Sequence, residues 1–226
     1  METLANGFTL EVPAGAFPLS TDSILLSDFI KLPPNARVLD LGSGCGTLGL
    51  LLCAKDSQCS ITGIELDPSA HAGAVANIEK NDLSSRMESI CGDLRTFPLT
   101  GSFDCCISNP PYYTGGPASN TTPLARRDDQ CSLAQLCEAA GKMLKFGGDF
   151  FLVHKPERLA EICALAAKYN MQPKRLRLIR HRTDGEVSLI LLSCRKGGKP
   201  GLIWEERCLF EGDGRPTDYY RTLYHL

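Results

Sequence analysis

The sequence predicts an α/β fold: a mostly parallel sheet of seven strands with helices on both faces. Three observations carry this. Short apolar runs alternate with longer amphipathic stretches, as repeated βαβ units require. A glycine-rich turn, Gly42-Ser43-Gly44-Cys45-Gly46, separates the first such run from a helical pattern. Near the end, two runs rich in β-branched and long aliphatic residues, 175–182 and 187–194, flank Thr183-Asp184-Gly185-Glu186, where Asp-Gly reads as a hairpin turn.

Taken in order, residues 1–35 show no periodic pattern and close on Lys31-Leu32-Pro33-Pro34-Asn35. Strands are expected at Arg37–Leu41, Ser60–Glu65, Met87–Cys91, Phe103–Ser108 and 149–154. Helices are expected at 46–54, 69–81, 132–144 and 157–169. The hairpin supplies the last two strands. A second aperiodic stretch, 112–130, holds Gly115-Gly116-Pro117 and Arg126-Arg127-Asp128-Asp129. Loops of that length in a compact domain are usually functional or disordered.

Composition narrows the class. Of 226 residues, 43% are hydrophobic and 22% charged, which excludes a disordered chain. Lys plus Arg is 24 against 26 acids, for a net charge of −2, so a general polycation is excluded while a local nucleic-acid patch is not. No apolar run approaches the roughly 18–20 residues that span a bilayer. The N-terminus lacks a basic flank and an apolar segment, so no export signal is read. A soluble, cytoplasmic protein with no membrane association is expected. The eleven cysteines show no C-x-x-C spacing and the four histidines are dispersed, so no metal site is expected. The thiols read as small hydrophobes in a reducing compartment.

Val38-Leu39-Asp40-Leu41 runs into the glycine turn, where missing side chains let the backbone bend sharply and a ligand come close. Gly44-Cys45-Gly46-Thr47-Leu48-Gly49 is also G-x-G-x-x-G, and Glu65 at the end of the next strand fits a ribose diol, so a dinucleotide is one reading. Asp40 and Asp93 separate the two readings. Both fall at carboxyl ends of expected strands, and three carboxylates suit a pyrophosphate poorly. They suit a ligand with an α-amino group, a sulfonium, a ribose diol and an adenine amino group, which is S-adenosylmethionine. Asp93 on its own reads equally as a helix N-cap.

Ser108-Asn109-Pro110-Pro111-Tyr112 follows the fourth strand. A conjugated exocyclic amine is a poor nucleophile because its lone pair is delocalised. The Asn109 side-chain oxygen and the Pro110 carbonyl can each accept one of its N–H groups and favour a more tetrahedral nitrogen. Two prolines hold the chain path there, and Tyr112 offers a ring face for a planar group. Upstream, Thr21-Asp22 reads as a helix start that could also face the amino acid end of the cofactor. Between Lys155 and Arg182, eight basic residues face only Glu157 and Glu161. That stretch reads either as solvated charge on a helix and an edge hairpin or as a phosphate-tracking patch.

Together, Asp40-x-Gly-x-Gly-x-Gly, Glu65, Gly92-Asp93 and Asn109-Pro110-Pro111-Tyr112 resemble the class I, Rossmann-like methyltransferases of the N6-adenine type. Thr21-Asp22, Tyr113, Ala125-Arg126-Arg127 and His154-Lys155-Pro156-Glu157-Arg158-Leu159 narrow the resemblance to the small bacterial tRNA(Val) adenine-N6 methyltransferases. The resemblance implies strand order 3-2-1-4-5-7-6 with strand 7 antiparallel. It implies one domain over 1–226, with 1–35 as an extension helping to form the cofactor site and 36–226 as the core. S-adenosylmethionine would be held by Thr21, Asp22, Asp40, Gly42, Gly44, Gly46, Glu65, Leu66, Asp93, Leu94 and Asn109. Asn109, Pro110, Pro111 and Tyr112 would carry the chemistry, without a metal. Tyr113, Arg126 and Arg127 would contact the substrate, a tRNA anticodon loop, and the protein would act as a monomer. A protein glutamine, rRNA or DNA adenine as substrate stays open at this point, as does a non-catalytic binding subunit of the same fold. The release-factor methyltransferases carry a helical domain before the glycine-rich strand, and only about 36 residues precede it here.

Overall fold

The computed structural model describes residues 2–4, 7–13, 17–98, 101–112 and 131–224. The core strands are β1 (Arg37–Leu41), β2 (Ser60–Glu65), β3 (Met87–Cys91), β4 (Phe103–Ser108), β5 (Leu144–His154), β6 (Met171–Arg182), β7 (Val187–Lys196) and β8 (Ile203–Phe210). They form one sheet in the order β3-β2-β1-β4-β5-β7-β6-β8. β7 runs antiparallel to both of its neighbours, and the other pairings are parallel. The expected order is present, with one correction: there are eight strands in this sheet, because β8 adds alongside β6. A further ladder pairs Glu2–Thr3 with Thr9–Leu10.

The helices are α1 (Thr21–Phe29), α2 (Thr47–Lys55), α3 (Pro68–Lys80), α4 (Leu133–Met143), α5 (Leu159–Lys168) and α6 (Asp218–Tyr224). Two clusters of buried side chains pack the two sides of the sheet. Val38, Ile61, Cys105 and Ile107 belong to one, and Leu39, Ile64, Cys106 and Leu152 to the other, as period-2 alternation along a strand requires. Cys45, Cys53, Cys59, Cys105, Cys106, Cys137 and Cys194 are buried thiols within this packing. No helix among the described residues is long and apolar enough to cross a membrane.

Local chemistry sets the helix ends. Ser20 caps α1, Asp67 caps α3 with Pro68 at its first turn, and Ser132 with Gln135 forms a capping box on α4. α1 starts at the Thr21-Asp22 helix signal, with Ser20 as its cap, although residues 1–35 carry no periodic pattern to mark its length. Its register comes from tertiary contact, with Leu25, Leu26 and Phe29 almost wholly buried. Burying each contributes roughly 1.5–3 kcal/mol. In β6, Pro173 lacks an N–H, and the pairing with β7 shifts register just after it.

β8 also corrects the reading of the basic stretch. Arg177 is only 8% exposed and contacts Glu205 of β8 at 2.7 Å and Asp28 of α1 at 2.6 Å. Arg180 pairs with Glu206, Arg182 with Asp184, and Arg158 with Glu161. Arg175 instead lies 4.4 Å over the Phe29 ring. β6 is therefore no edge strand, and much of its charge is spent inside the fold.

Arg177 is the buried member of its two ion pairs. Removing it empties a packed site and leaves the partly exposed Asp28 and Glu205 short of a partner. Arg177→Ala should thus lower the unfolding free energy by about 3 kcal/mol, read from urea midpoints. Arg182→Ala, at a half-exposed pair, should cost under about 1 kcal/mol. Equal losses in the two variants would contradict the structural weight given to Arg177.

Candidate active site

Register assembles the site. Asp40 lies opposite Gly63 of β2 and Ile107 of β4, so the carboxyl ends of β1, β2 and β4 stop side by side. Beyond β1 the backbone turns through Gly42, Gly44 and Gly46, at φ of +74°, +54° and +82°. Gly42 and Gly44 have open space where a Cβ would stand, whereas Gly46 and Gly49 are closed by the Met87 side chain. The first pair thus leaves a bare backbone facing outward, and the second lets α2 settle against β3. The N–H groups of Gly42 and Ser43 both donate to the Ile64 carbonyl, at 3.0 and 3.1 Å, which pins the turn to β2.

Glu65 is held from both sides. Its Oε2 accepts from the Gly44 N–H at 2.7 Å and its Oε1 from the Asp67 N–H at 2.8 Å. Its neighbour Leu66 is 41% exposed, a large apolar side chain left open beside the carboxylate. On the far side of Glu65, the Gly92 N–H donates to its carbonyl and brings Asp93 to the same edge. The Asp93 carboxylate takes the Arg95 guanidinium and backbone N–H, and this pairing keeps its carboxyl below the usual range. It forms a turn rather than capping a helix. Leu94 packs against the core beneath it.

Asp40 is 1% exposed, and neither carboxylate oxygen has a hydrogen-bond partner among the described residues. Ser43 Oγ beside it is likewise buried without one. Burial, and next the charge of Glu65, push the Asp40 carboxyl up to about 8. A buried acid with idle oxygens next to a bare glycine turn fits a cationic ligand group, as the amino end of S-adenosylmethionine would present.

The Asn109 end joins this site through Ser108, whose Oγ donates to the Leu41 carbonyl at 2.8 Å. Asn109 Nδ2 donates to Ser23 Oγ of α1 at 3.1 Å, and the Tyr112 hydroxyl donates to Asn109 Oδ1 at 2.9 Å. The His154 ring meets the Tyr112 ring edge-on with centroids 5.2 Å apart, and Lys155 Nζ lies 5.5 Å over it. The phenol is pushed up by burial and then by the Asp22 carboxylate next to it. Pro110 and Pro111 are half-buried between these groups.

Asp40, the glycines, Glu65, Asn109 and Tyr112 therefore gather along one sheet edge, with Asp22 beside them. Thr21 does not join them directly: its hydroxyl sits 3.1 Å from the Tyr224 hydroxyl of α6. Tyr113, Arg126 and Arg127 lie outside the described residues. Ser23 and Ser43 escaped the sequence reading, since neither stands at a defining position of a motif. Only their places, two positions after Thr21 and inside the glycine turn, mark them.

The Asp40 carboxyl titrates near 8 folded, against 3.8 as its ordinary value. Over that window the folded state keeps a proton that the unfolded chain has released. Its contribution to stability is complete below the lower value and lost as pH rises through the upper one. The melting temperature of the cofactor-free protein should therefore fall from pH 5 to 8, and Asp40→Asn should flatten that slope while stabilising the protein at pH 8. A variant whose slope matches the parent would contradict the buried, unpaired carboxylate.

Comparison with known proteins agrees with this fold. The sequence model of the methyltransferase small domain matches residues 19–169, from α1 through α5. A tRNA1(Val) (adenine(37)-N6)-methyltransferase of Tolumonas auensis is 31% identical over 223 residues, covering 96% of this chain and 92% of that protein. The namesake from Shewanella halifaxensis is 34% identical over 160 residues, 69% of this chain and 65% of its own. Among solved structures, a predicted O-methyltransferase of Agrobacterium tumefaciens superposes with a TM-score of 0.76 at 21% identity, over 91% of this chain and 96% of that one. That likeness speaks to the fold. With the matched region spanning the glycine turn, the buried acid and the Asn-Pro-Pro-Tyr segment together, the chain belongs to the methyltransferase small domain family.

Proposed function

We propose that this enzyme transfers the methyl group of S-adenosylmethionine to N6 of an adenine in tRNA, the adenine 3′ of the anticodon of tRNA(Val). One observation carries the reading above all: Ser108, next to Asn109, donates to the carbonyl of Leu41, the last residue before the glycine turn. An acceptor for an amino group thus stands directly beside a place suited to a methyl donor. The names of the Tolumonas and Shewanella relatives support the substrate.

Bound at the turn, S-adenosylmethionine supplies an electrophilic methyl on a sulfonium. Asp40 would receive its ammonium group, Glu65 its ribose hydroxyls and Asp93 its adenine amino group, and Leu66 and Leu94 would offer apolar contact to the ring. Asp93 must share its carboxylate with Arg95 to do so. The target adenine leaves its stack in the anticodon loop, where unstacking costs less than in a duplex, and lies on Tyr112. Asn109 Oδ1 has two lone pairs; Tyr112 occupies one, and the second accepts an N–H of the amine. The Pro110 carbonyl accepts the other N–H. Attack of N6 on the methyl carbon would break its bond to sulfur, with the donor leaving as a neutral thioether. The methylated amine would give its surplus proton to water. Orientation of the amine does most of the work, and no metal or dedicated base is needed. Tyr113, Arg126 and Arg127 contact the RNA.

Tritiated-methyl transfer onto separate pools of tRNA, rRNA, DNA and protein tests the substrate. N6-methyladenosine in tRNA(Val) is expected, and label in protein or DNA instead would overturn the reading. Asn109→Ala should cut turnover about a hundredfold with little change in cofactor affinity. Glu65→Ala loses a charge-assisted pair of hydrogen bonds, each worth about 1.5–3 kcal/mol, and should weaken cofactor binding at least tenfold by calorimetry.

A further inference from the structure

We infer that Ser23, on α1, is the positioning residue that holds the Asn109 carboxamide in its reactive orientation. The inference rests on the reading of Asn109 as the acceptor for the target amine. The two ends of a carboxamide are nearly alike in shape and opposite in hydrogen-bonding sense. A half-turn about its last torsion would put N–H groups where the incoming amine needs an acceptor, and donor would face donor. Something must fix the sense of the group.

Ser23 Oγ takes the nitrogen end at 3.1 Å while Tyr112 donates to the oxygen end at 2.9 Å. Ser23 is a hydroxyl and could in principle serve either end. Its own proton has an outlet, however, because Ser20 Oγ lies 3.3 Å away. Donation there leaves the lone pairs of Ser23 for Asn109 Nδ2. Ser20 also accepts the Ser23 backbone N–H as the helix cap, so the serine is held by its main chain as well. At 4% exposure, Ser23 leaves little room for water to replace it.

The helix that carries Ser23 is itself braced at three points. Leu25, Leu26 and Phe29 are buried in the core. Asp28 Oδ2 accepts from Arg177 at 2.6 Å and from the Tyr219 hydroxyl at 3.2 Å. Thr21 meets Tyr224 of α6. A serine 86 positions before Asn109 is thereby fixed against it. Ser27, on the same helix and equally buried, donates its hydroxyl to the Ile24 carbonyl within the helix and supplies an internal control.

Ser23→Ala, Ser23→Thr and Ser27→Ala should be compared in methyl transfer to tRNA. The expected result is a kcat about tenfold lower in Ser23→Ala, with KM for S-adenosylmethionine within about twofold of the parent. Ser23→Thr, which keeps the hydroxyl, should recover most of the rate, and Ser27→Ala should leave it unchanged. On the 15N-labelled protein without tRNA, the Asn109 side-chain amide signals should move in Ser23→Ala and stay near their parent positions in Ser27→Ala. An unchanged kcat together with unmoved Asn109 signals in Ser23→Ala would overturn the inference. So would an equal loss in Ser27→Ala. Failure of the parent protein to methylate any tRNA would instead fell the substrate reading, and the amide signals would still decide the role of Ser23.

Discussion

The parallel pairing of β1 with β2 on one side and β4 on the other is the constraint from which the site follows. Parallel strands joined by right-handed crossovers end together at one edge of the sheet, and their loops then have no choice but to meet there. Because Asp40, Gly63 and Ile107 share one register line, the glycine turn, Glu65 and Asn109 emerge within a few residues of each other. Two hydrogen bonds to Ile64 and one from Ser108 to Leu41 convert that proximity into fixed geometry. A slip of one residue in either pairing would turn the acid toward the opposite face of the sheet and dismantle the site without disturbing any motif.

Within this frame the protein tolerates an electrostatic penalty that a purely structural fold would avoid. An isolated carboxylate away from water is costly, so Asp40 keeps its proton well above the usual pH. Glu65 nearby is treated differently, with two backbone N–H groups donating to its oxygens. One acid is pre-satisfied and rigid, and the other is left wanting a cation. Similar contrast governs the far side of the sheet, where the Arg177 charge is fully compensated by Asp28 and Glu205. Buried charge is paired where the fold needs stability, whereas beside the glycine turn it is suppressed by a proton that a cationic ligand can replace.

Much of this was legible from residues alone. Val38–Leu41 into a glycine turn, Glu65 one strand later and Asn109-Pro110-Pro111-Tyr112 after β4 are local patterns whose physics depends on neighbours in sequence. What could not be read depends on distant partners. α1 has no helical period because its position is set by Leu25, Leu26 and Phe29 meeting residues far along the chain. β8, with Glu205 and Glu206 amid its apolar residues, looks like a solvated segment until Arg177 and Arg180 are placed opposite it. The same omission made the 155–182 stretch look more cationic than it is. Ser23 was invisible for the same reason, since its partner lies across the fold.

The bracing of α1 has a consequence for the order in which the protein matures. Tyr224 and Tyr219 reach back to Thr21 and Asp28 across 203 and 191 positions. During synthesis the glycine turn, the buried acid and the Asn109 segment all leave the ribosome well before β8 and α6 do. A nascent chain can therefore assemble its donor pocket while the helix that orients the acceptor side still lacks its final supports. On the function proposed above, methyl-donor binding should precede catalytic competence in the life of each molecule.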